Sequence, residues 1–374
     1  MKWLFPAALA ALTFNAAAVA APAAAGVIDC PLRDAPYSAK SPLIDIMLNP
    51  VAKAILEKEM GASLDKAPAM FFGTTPPTFA AILTVREAGR FRPLNPEALA
   101  RIDTALAALP VSEADKTARC ARYDVDVPAF KLPSGKRPRV LLFEKINGFR
   151  DGPSVDAAHA AFVAIAQRRD WALVTTEKGG AFNPATLGKF DVVIWNNISG
   201  DVLTLSQRAA FKSWLERGGA FVGVHGSAGD PVYFWDWYAD VLLGARFAGH
   251  PMNPQFQEAR IAIADPASPV AKGLPSAWKM TDEWYSFRTN PRAAGAHVIA
   301  TLDETSYKPD GIQGQDLRMG ADHPIVWTNC IGRGRMFYSA IGHRPEMYSD
   351  SRYVTMLENA VKWAAQPAAC RNGK

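Results

Sequence analysis

The chain has 374 residues, a formal net charge of +5 at pH 7, 49% hydrophobic residues and 21% charged ones. That length supports one large domain and a smaller one, and the composition is that of a folded globular protein. The positive charge is spread along the chain without a basic cluster, which sets nucleic-acid binding aside.

Residues 1–25 read as a secretory signal peptide. Met1-Lys2 precede an apolar run from Trp3 to Phe14, and Ala18-Val19-Ala20 and Ala23-Ala24-Ala25 both fit the small-x-small cleavage rule. The run is shorter than the roughly twenty residues that span a bilayer, and no later stretch is apolar enough to span. The expected location is the periplasm or the exterior, with no membrane insertion once the leader is removed. Four cysteines, Cys30, Cys120, Cys330 and Cys370, fit disulfides in such a compartment. Three pairings are open. Cys30–Cys120 with Cys330–Cys370 is favoured, because each bond then ties a segment to its own domain.

Residues 26–130 read as a helical N-terminal region. Pro42 and Pro50 suit helix starts, Val51, Ile55 and Leu56 mark one apolar face, and Ile102, Leu106 and Leu109 mark another. Gly73-Thr74-Thr75-Pro76-Pro77 is a breaker. No chemical constellation stands out here, so a cap or appendage is expected. A linker at 131–138 leads to the main domain, 139–367, and a short tail, 368–374.

In the main domain short apolar runs alternate with helical patterns. Val140–Phe143, Trp171–Thr175, Asp191–Asn196 and Ala220–Val224 read as strands buried on both faces. Between them lie a helix carrying Val155, Ala158, Phe162 and Ile165, and another opened by the capping box Thr204-Leu205-Ser206-Gln207. This alternation predicts an α/β fold with a doubly wound parallel sheet, all strand C-termini on one edge and the ligand at that edge. Beyond residue 255 further strands, at 259–264, 279–287, 297–302, 325–329 and 336–341, either extend the sheet or form a lip around the site. A last helix runs from Tyr353 to Trp363.

Polar residues gather where strands end: Glu144 to Asp151, Asn196-Asn197, and His225-Gly226-Ser227-Ala228-Gly229-Asp230, followed by Gly249-His250-Pro251, Asp282-Glu283-Trp284-Tyr285, His323-Pro324 and Gly342-His343-Arg344. With Gly148-Phe149-Arg150, Gly218 to His225, Leu243-Gly244-Ala245, His323 to Trp327 and Gly332 to Tyr338, these segments in this order resemble the ThuA-like (trehalose utilisation) family over about residues 138–367. The resemblance implies the flavodoxin-like fold of class I glutamine amidotransferases. It also implies a role in carbohydrate catabolism, with isomerisation or cleavage of a 3-keto sugar or disaccharide as the expected activity.

Those amidotransferases carry a nucleophilic cysteine in the turn after the fourth strand. His225 stands there instead, which excludes thiol amidotransfer, and Ser227 lies two residues past the elbow. Family members commonly read Gly-Phe-Arg-His after the first strand, whereas this chain has Asp151 in place of the histidine. Asp151 can bind a hydroxyl, a proton or a metal, but it offers no neutral imidazole.

Chemistry beside a sugar ketone needs a base near the acidified C–H and an electrophile near the carbonyl oxygen. His225, Glu283 and His343 are the catalytic candidates. Arg150, Asp151, Trp195, Asn196, His250, Trp284, Tyr285 and Arg344 are the substrate-binding candidates, with the aromatic rings stacking on sugar faces. The expected partner is a small-molecule carbohydrate, and self-association is left open. No cofactor is required by the pattern, and no two histidines stand at i, i+4 on a helix as in zincins. A divalent metal needs His225, His250 and His343 to converge from three segments. A binding protein without catalysis is the alternative reading, and a metal-dependent hydrolase the third. His323, at the start of a strand, is expected at the opposite edge; His159 and His297 are read as core or surface residues. The run Phe234-Trp235-Asp236-Trp237-Tyr238 is read as packing.

Overall fold

The computed structural model describes residues 27–89 and 94–370; the leader read at 1–25 and the tail end at 371–374 lie outside them. The N-terminal region begins with α1 (Leu43–Leu48) and α2 (Pro50–Met60), followed by α3 (Ala69–Phe72), α4 (Val85–Ala88), α5 (Pro96–Ala107) and α6 (Glu113–Cys120). Local chemistry explains the ends. Pro50 occupies the first turn of α2, where its missing N–H costs nothing, and the Asn49 side chain accepts from the Val51 and Ala52 amides. Asn95 caps α5 in the same way, and Ser112 with Asp115 forms a capping box on α6. Leu43, Leu56, Ile102 and Leu106 build a small core of their own. The two disulfides are Cys30–Cys120 and Cys330–Cys370, the favoured pairing.

The main domain follows with β1 (Arg139–Phe143), α7 (Gly152–Arg168), β2 (Ala172–Thr176), α8 (Pro184–Leu187), β3 (Val192–Asn196), α9 (Leu205–Glu216) and β4 (Ala220–Val224). Strands β2, β1, β3 and β4 are neighbours in that order and all parallel. Helices cover both faces, as two adjacent residues of β3 show. Trp195 stacks on Phe211 of α9, whereas the Asn196 amide reaches the Val155 carbonyl of α7 on the other side. The capping box on α9 forms as its sequence predicts.

Then come β5 (Phe247–Gly249), β6 (Phe256–Ile263), β7 (Ala277–Glu283), β8 (Ser286–Phe287), β9 (His297–Asp303), β10 (His323–Ile331), β11 (Gly334–Ser339) and α10 (Ser351–Ala364). Most of these extend the sheet, while β5 and β8 pair as a separate ribbon. Among the described residues the full order is β2-β1-β3-β4-β11-β10-β9-β6-β7. β11 is parallel to β4, so the parallel half has five strands. The remaining pairs are antiparallel, making the sheet mixed.

This reversal corrects the expectation for His323. A strand running against β11 starts where β11 ends, so His323 lies on the ligand edge, not the opposite one. The antiparallel half also curls. β7 lies five strand spacings from β4, about 24 Å in a flat sheet. Yet Glu283 at the end of β7 touches His225 just after β4, at 3.4 Å. Irregular register between β9 and β10, at Pro324 to Trp327, is the kind of bulge that bends a sheet.

Candidate functional site

His225 occupies the turn after β4, with its backbone at φ +34°, in the left-handed region. A histidine held there costs on the order of 1–3 kcal/mol, a strain characteristic of functional elbows. The surroundings enforce it. The Tyr338 hydroxyl donates to the His225 carbonyl at 2.7 Å, and the Gly226 amide donates to Asn197 Oδ1 at 3.1 Å. The Tyr285 ring packs 4.2 Å from the imidazole, centroid to centroid. His225 Nδ1 lies 2.7 Å from the Ala340 carbonyl. A carbonyl only accepts, so Nδ1 carries the proton and Nε2 presents its lone pair to the site.

That lone pair meets His343 Nδ1 at 3.1 Å and Glu283 Oε2 at 3.4 Å, while Glu283 Oε2 and His343 Nδ1 are 3.0 Å apart. Asp282, the residue before Glu283, fixes the third arm. Its carboxylate accepts from the Gly342 amide at 2.6 Å and the Arg344 amide at 2.9 Å, gripping both sides of His343. Gly342 is required there: its φ is +128°, and a β-carbon would lie 2.4 Å from the Tyr348 hydroxyl. Around this triad, Gln255 donates to the other Glu283 oxygen, with His250 Nδ1 3.3 Å from it, and Asp151 Oδ2 lies 3.7 Å from His343 Nε2.

Burial acts to raise the Glu283 carboxyl, but the His225 and His343 rings outweigh it and hold the group well below the ordinary glutamate value. Burial works against a charged His343, and the Glu283 carboxylate overcomes it, so that histidine titrates above its usual value. The triad therefore sets an ionised Glu283 carboxylate between two imidazole rings, with His343 favoured in its protonated form. It can both accept and deliver a proton.

Glu283 and His343 line a cleft of about 440 Å³, within the range of small-molecule sites, and His225 is buried behind them. One wall comes from the main domain, including Phe149, Phe247, Tyr285, Arg288 and Gln315. The opposite wall is the N-terminal region: Met70, Phe71, Phe79, Ile82, Leu83 and Glu87. This region is seated on the loop after β1. The Thr78 amide donates to the Asn147 carbonyl at 3.0 Å, and Phe79 stacks on Phe149 at 5.0 Å. Gly148 lets the two come close, since a β-carbon there would sit 2.3 Å from Ser199 Oγ and 2.7 Å from Ile82 Cγ2.

The model of the ThuA family, trehalose utilisation, matches residues 139–364. The chain belongs to the ThuA family. The fold agrees. A Bacteroides uniformis ATCC 8492 protein described as ThuA-like superposes with a TM-score of 0.53 at 26% identity, over 64% of this chain and 95% of that one. A second such protein, from Parabacteroides merdae ATCC 43184, gives a TM-score of 0.45 at 17% identity, over 63% and 92% of the two chains. No curated protein matches the chain in sequence. All three triad residues lie within the ThuA match, whereas the cap residues on the opposite wall precede it.

The other candidates divide. His250 and Tyr285 line the cleft, and Asp151 stands behind His343 at the N-terminus of α7. Trp195 does not reach the cleft. It is buried in an aromatic cluster with Phe143, Phe211 and Tyr238, because its place in β3 points it at α9. Asn196 faces α7 and is consumed by Glu144 and the Val155 carbonyl. Trp284 is buried with its indole N–H on the Gln257 carbonyl. Arg150 pairs with Asp156 and Arg344 with Glu346, and neither lines the cleft. In the metal set proposed from sequence, Glu283 stands where His250 was expected; His250 Nδ1 lies 2.9 Å from the Pro251 carbonyl instead.

Two residues gain importance. His323 supports Tyr285: its Nε2 is 2.8 Å from the Tyr285 carbonyl and its Nδ1 2.8 Å from Glu304. Asp230 lines the cleft, and burial pushes its carboxyl up to about 7 against the hydrogen bonds from Ser199 and the Gly200 amide. It is the last residue of the polar turn that begins with His225, and that proximity was the only trace of it in the sequence.

Proposed function

We propose that this ThuA-family chain is an exported enzyme of carbohydrate utilisation that works on a keto-sugar glycoside by acid–base catalysis. Export is supported by the leader read at residues 1–25 and by the two disulfides. The observation that carries the chemistry is the triad: three proton-handling atoms 3.0–3.4 Å apart, two of them on residues that line the cleft, Glu283 and His343. The family supplies the substrate class.

A ketone acidifies the neighbouring C–H. His225 or Glu283 takes that proton, and donors in the cleft stabilise the developing enolate oxygen. In cleavage, the enolate electrons expel the glycosidic oxygen from the adjacent carbon. The oxygen takes a proton from His343 or Asp230, leaving an unsaturated ketone and an alcohol. Stopping at the enolate and returning the proton elsewhere is isomerisation.

A turnover screen of 3-keto-glycosides tests this. The wild type is expected to consume at least one of them, and His225→Ala to lose on the order of 10²–10⁴-fold in rate while keeping its fold. Absence of turnover on the whole panel, or an unaffected His225→Ala, would overturn the proposal.

A further inference from the structure

We infer that His225 Nε2, Glu283 Oε2 and His343 Nδ1 form one face of a binding site for a divalent transition-metal ion. The inference rests on the triad being the reaction centre of the proposed function; a bound ion takes the place of the proton on His343 Nδ1, so the three atoms serve either as ligands or as proton carriers, and the two states compete.

The first argument is metric. With metal–ligand bonds of about 2.1 Å, neighbouring donors sit about 3.0 Å apart in an octahedral shell and about 3.4 Å apart in a tetrahedral one. The three separations here are 3.0, 3.1 and 3.4 Å. Donors that follow the neighbouring strands β4 and β11, with a third from the far-edge strand β7, therefore trace a triangular coordination face. Two imidazole nitrogens and one carboxylate oxygen suit manganese, iron, cobalt or zinc rather than calcium or magnesium.

The second argument counts protons. His225 Nδ1 faces the Ala340 carbonyl, which leaves Nε2 as the acceptor of the neutral ring, and Glu283 Oε2 is a second acceptor, so both face the single hydrogen that His343 Nδ1 can offer. An ion at the centre gives each of the three atoms a partner at once.

The third argument is the outer layer. Metal-bound histidines are oriented by a partner on the other ring nitrogen. His225 has the Ala340 carbonyl in that position; on the corresponding side of His343 the Asp151 carboxylate lies 3.7 Å from Nε2, a charge neighbour outside direct hydrogen-bond distance. The non-ligating oxygen of Glu283 is held by Gln255. Two of the three ligand residues, Glu283 and His343, line the cleft, where a bound ion would supply Lewis-acid activation of a substrate oxygen or of water.

The test uses the full mature chain stripped with chelator and titrated with manganese, cobalt and zinc salts by calorimetry. One equivalent is expected to bind, with cobalt giving visible absorption bands from nitrogen–oxygen coordination. Glu283→Gln and His225→Ala are expected to lose binding at least a hundredfold, and Asp151→Asn about tenfold. Because a triad variant can unfold for other reasons, thermal melting is run beside it. Metal should raise the melting temperature of the wild type and leave that of folded triad variants unchanged. No stoichiometric binding, or binding that survives Glu283→Gln, overturns the inference. The two readings fail separately. Undiminished keto-glycoside turnover after chelation keeps acid–base catalysis and removes the metal. One bound equivalent without turnover of any sugar keeps the metal and removes the proposed reaction.

Discussion

Two carboxyls of one cleft are driven in opposite directions by their neighbours. Glu283 is buried, yet two histidine rings keep it ionised. Asp230 is equally buried, has only a hydroxyl and an amide to help it, and sits near another carboxylate, Asp201, so it rises to about 7. The folded chain thus binds the Asp230 proton more tightly than the unfolded chain, whose carboxyl titrates at about 3.9. Its stabilising contribution is complete below about pH 4 and is lost as pH rises to 7. Melting temperatures from pH 4 to 8 should therefore fall more steeply in the wild type than in Asp230→Asn, and parallel curves would refute this. At this scale the sequence was half legible. His225 could be read because a buried strand ends in a polar, glycine-bearing turn, and His343 because it follows another strand end. Trp195 and Asn196 also end a strand, but β3 lies inside the sheet and both its faces are covered by helices. Asp230 owes its character to burial, which no residue pattern displays.

The elements that matter most are those whose contacts cross the chain. Helical signals in the N-terminal region came from prolines at helix starts and from apolar spacing, which are local, and α1, α2 and α5 form where those signals fall. That this region forms a wall of the cleft depends on packing against the loop after β1, which has no local signature. The wall is largely apolar, and Phe71, Phe79 and Phe149 make a line of stacked rings that continues toward His343. A sugar bound at the triad would direct its leaving group along these rings. Phe79→Ala should then raise KM about tenfold for glycosides with an aromatic leaving group and leave the methyl glycoside nearly unchanged. Equal effects on both, measured by steady-state kinetics, would show that the wall only supports the fold.

At the scale of the whole molecule, the site exists because the sheet changes character halfway. The parallel half delivers His225 by the usual rule for strand C-termini. The antiparallel half brings Glu283 back from the far edge by curling, and Asp282 locks the loop that carries His343. Alternating strands and helices made the first half readable in sequence. The direction and curvature of the second half depend on long-range pairing, which is why His323 was assigned to the opposite edge. The central claim is that the assembled triad moves a proton on a carbon next to a sugar ketone. Deuterium incorporation at that carbon, followed by NMR in D₂O with a 3-keto-glycoside, measures this step without requiring cleavage. The wild type should exchange the hydrogen well above the buffer rate, and Glu283→Gln combined with His225→Ala should return it on the order of 10²-fold or more toward that rate. Exchange that is as fast in the double variant as in the wild type, or no exchange in a wild type shown to bind the sugar, would contradict the account.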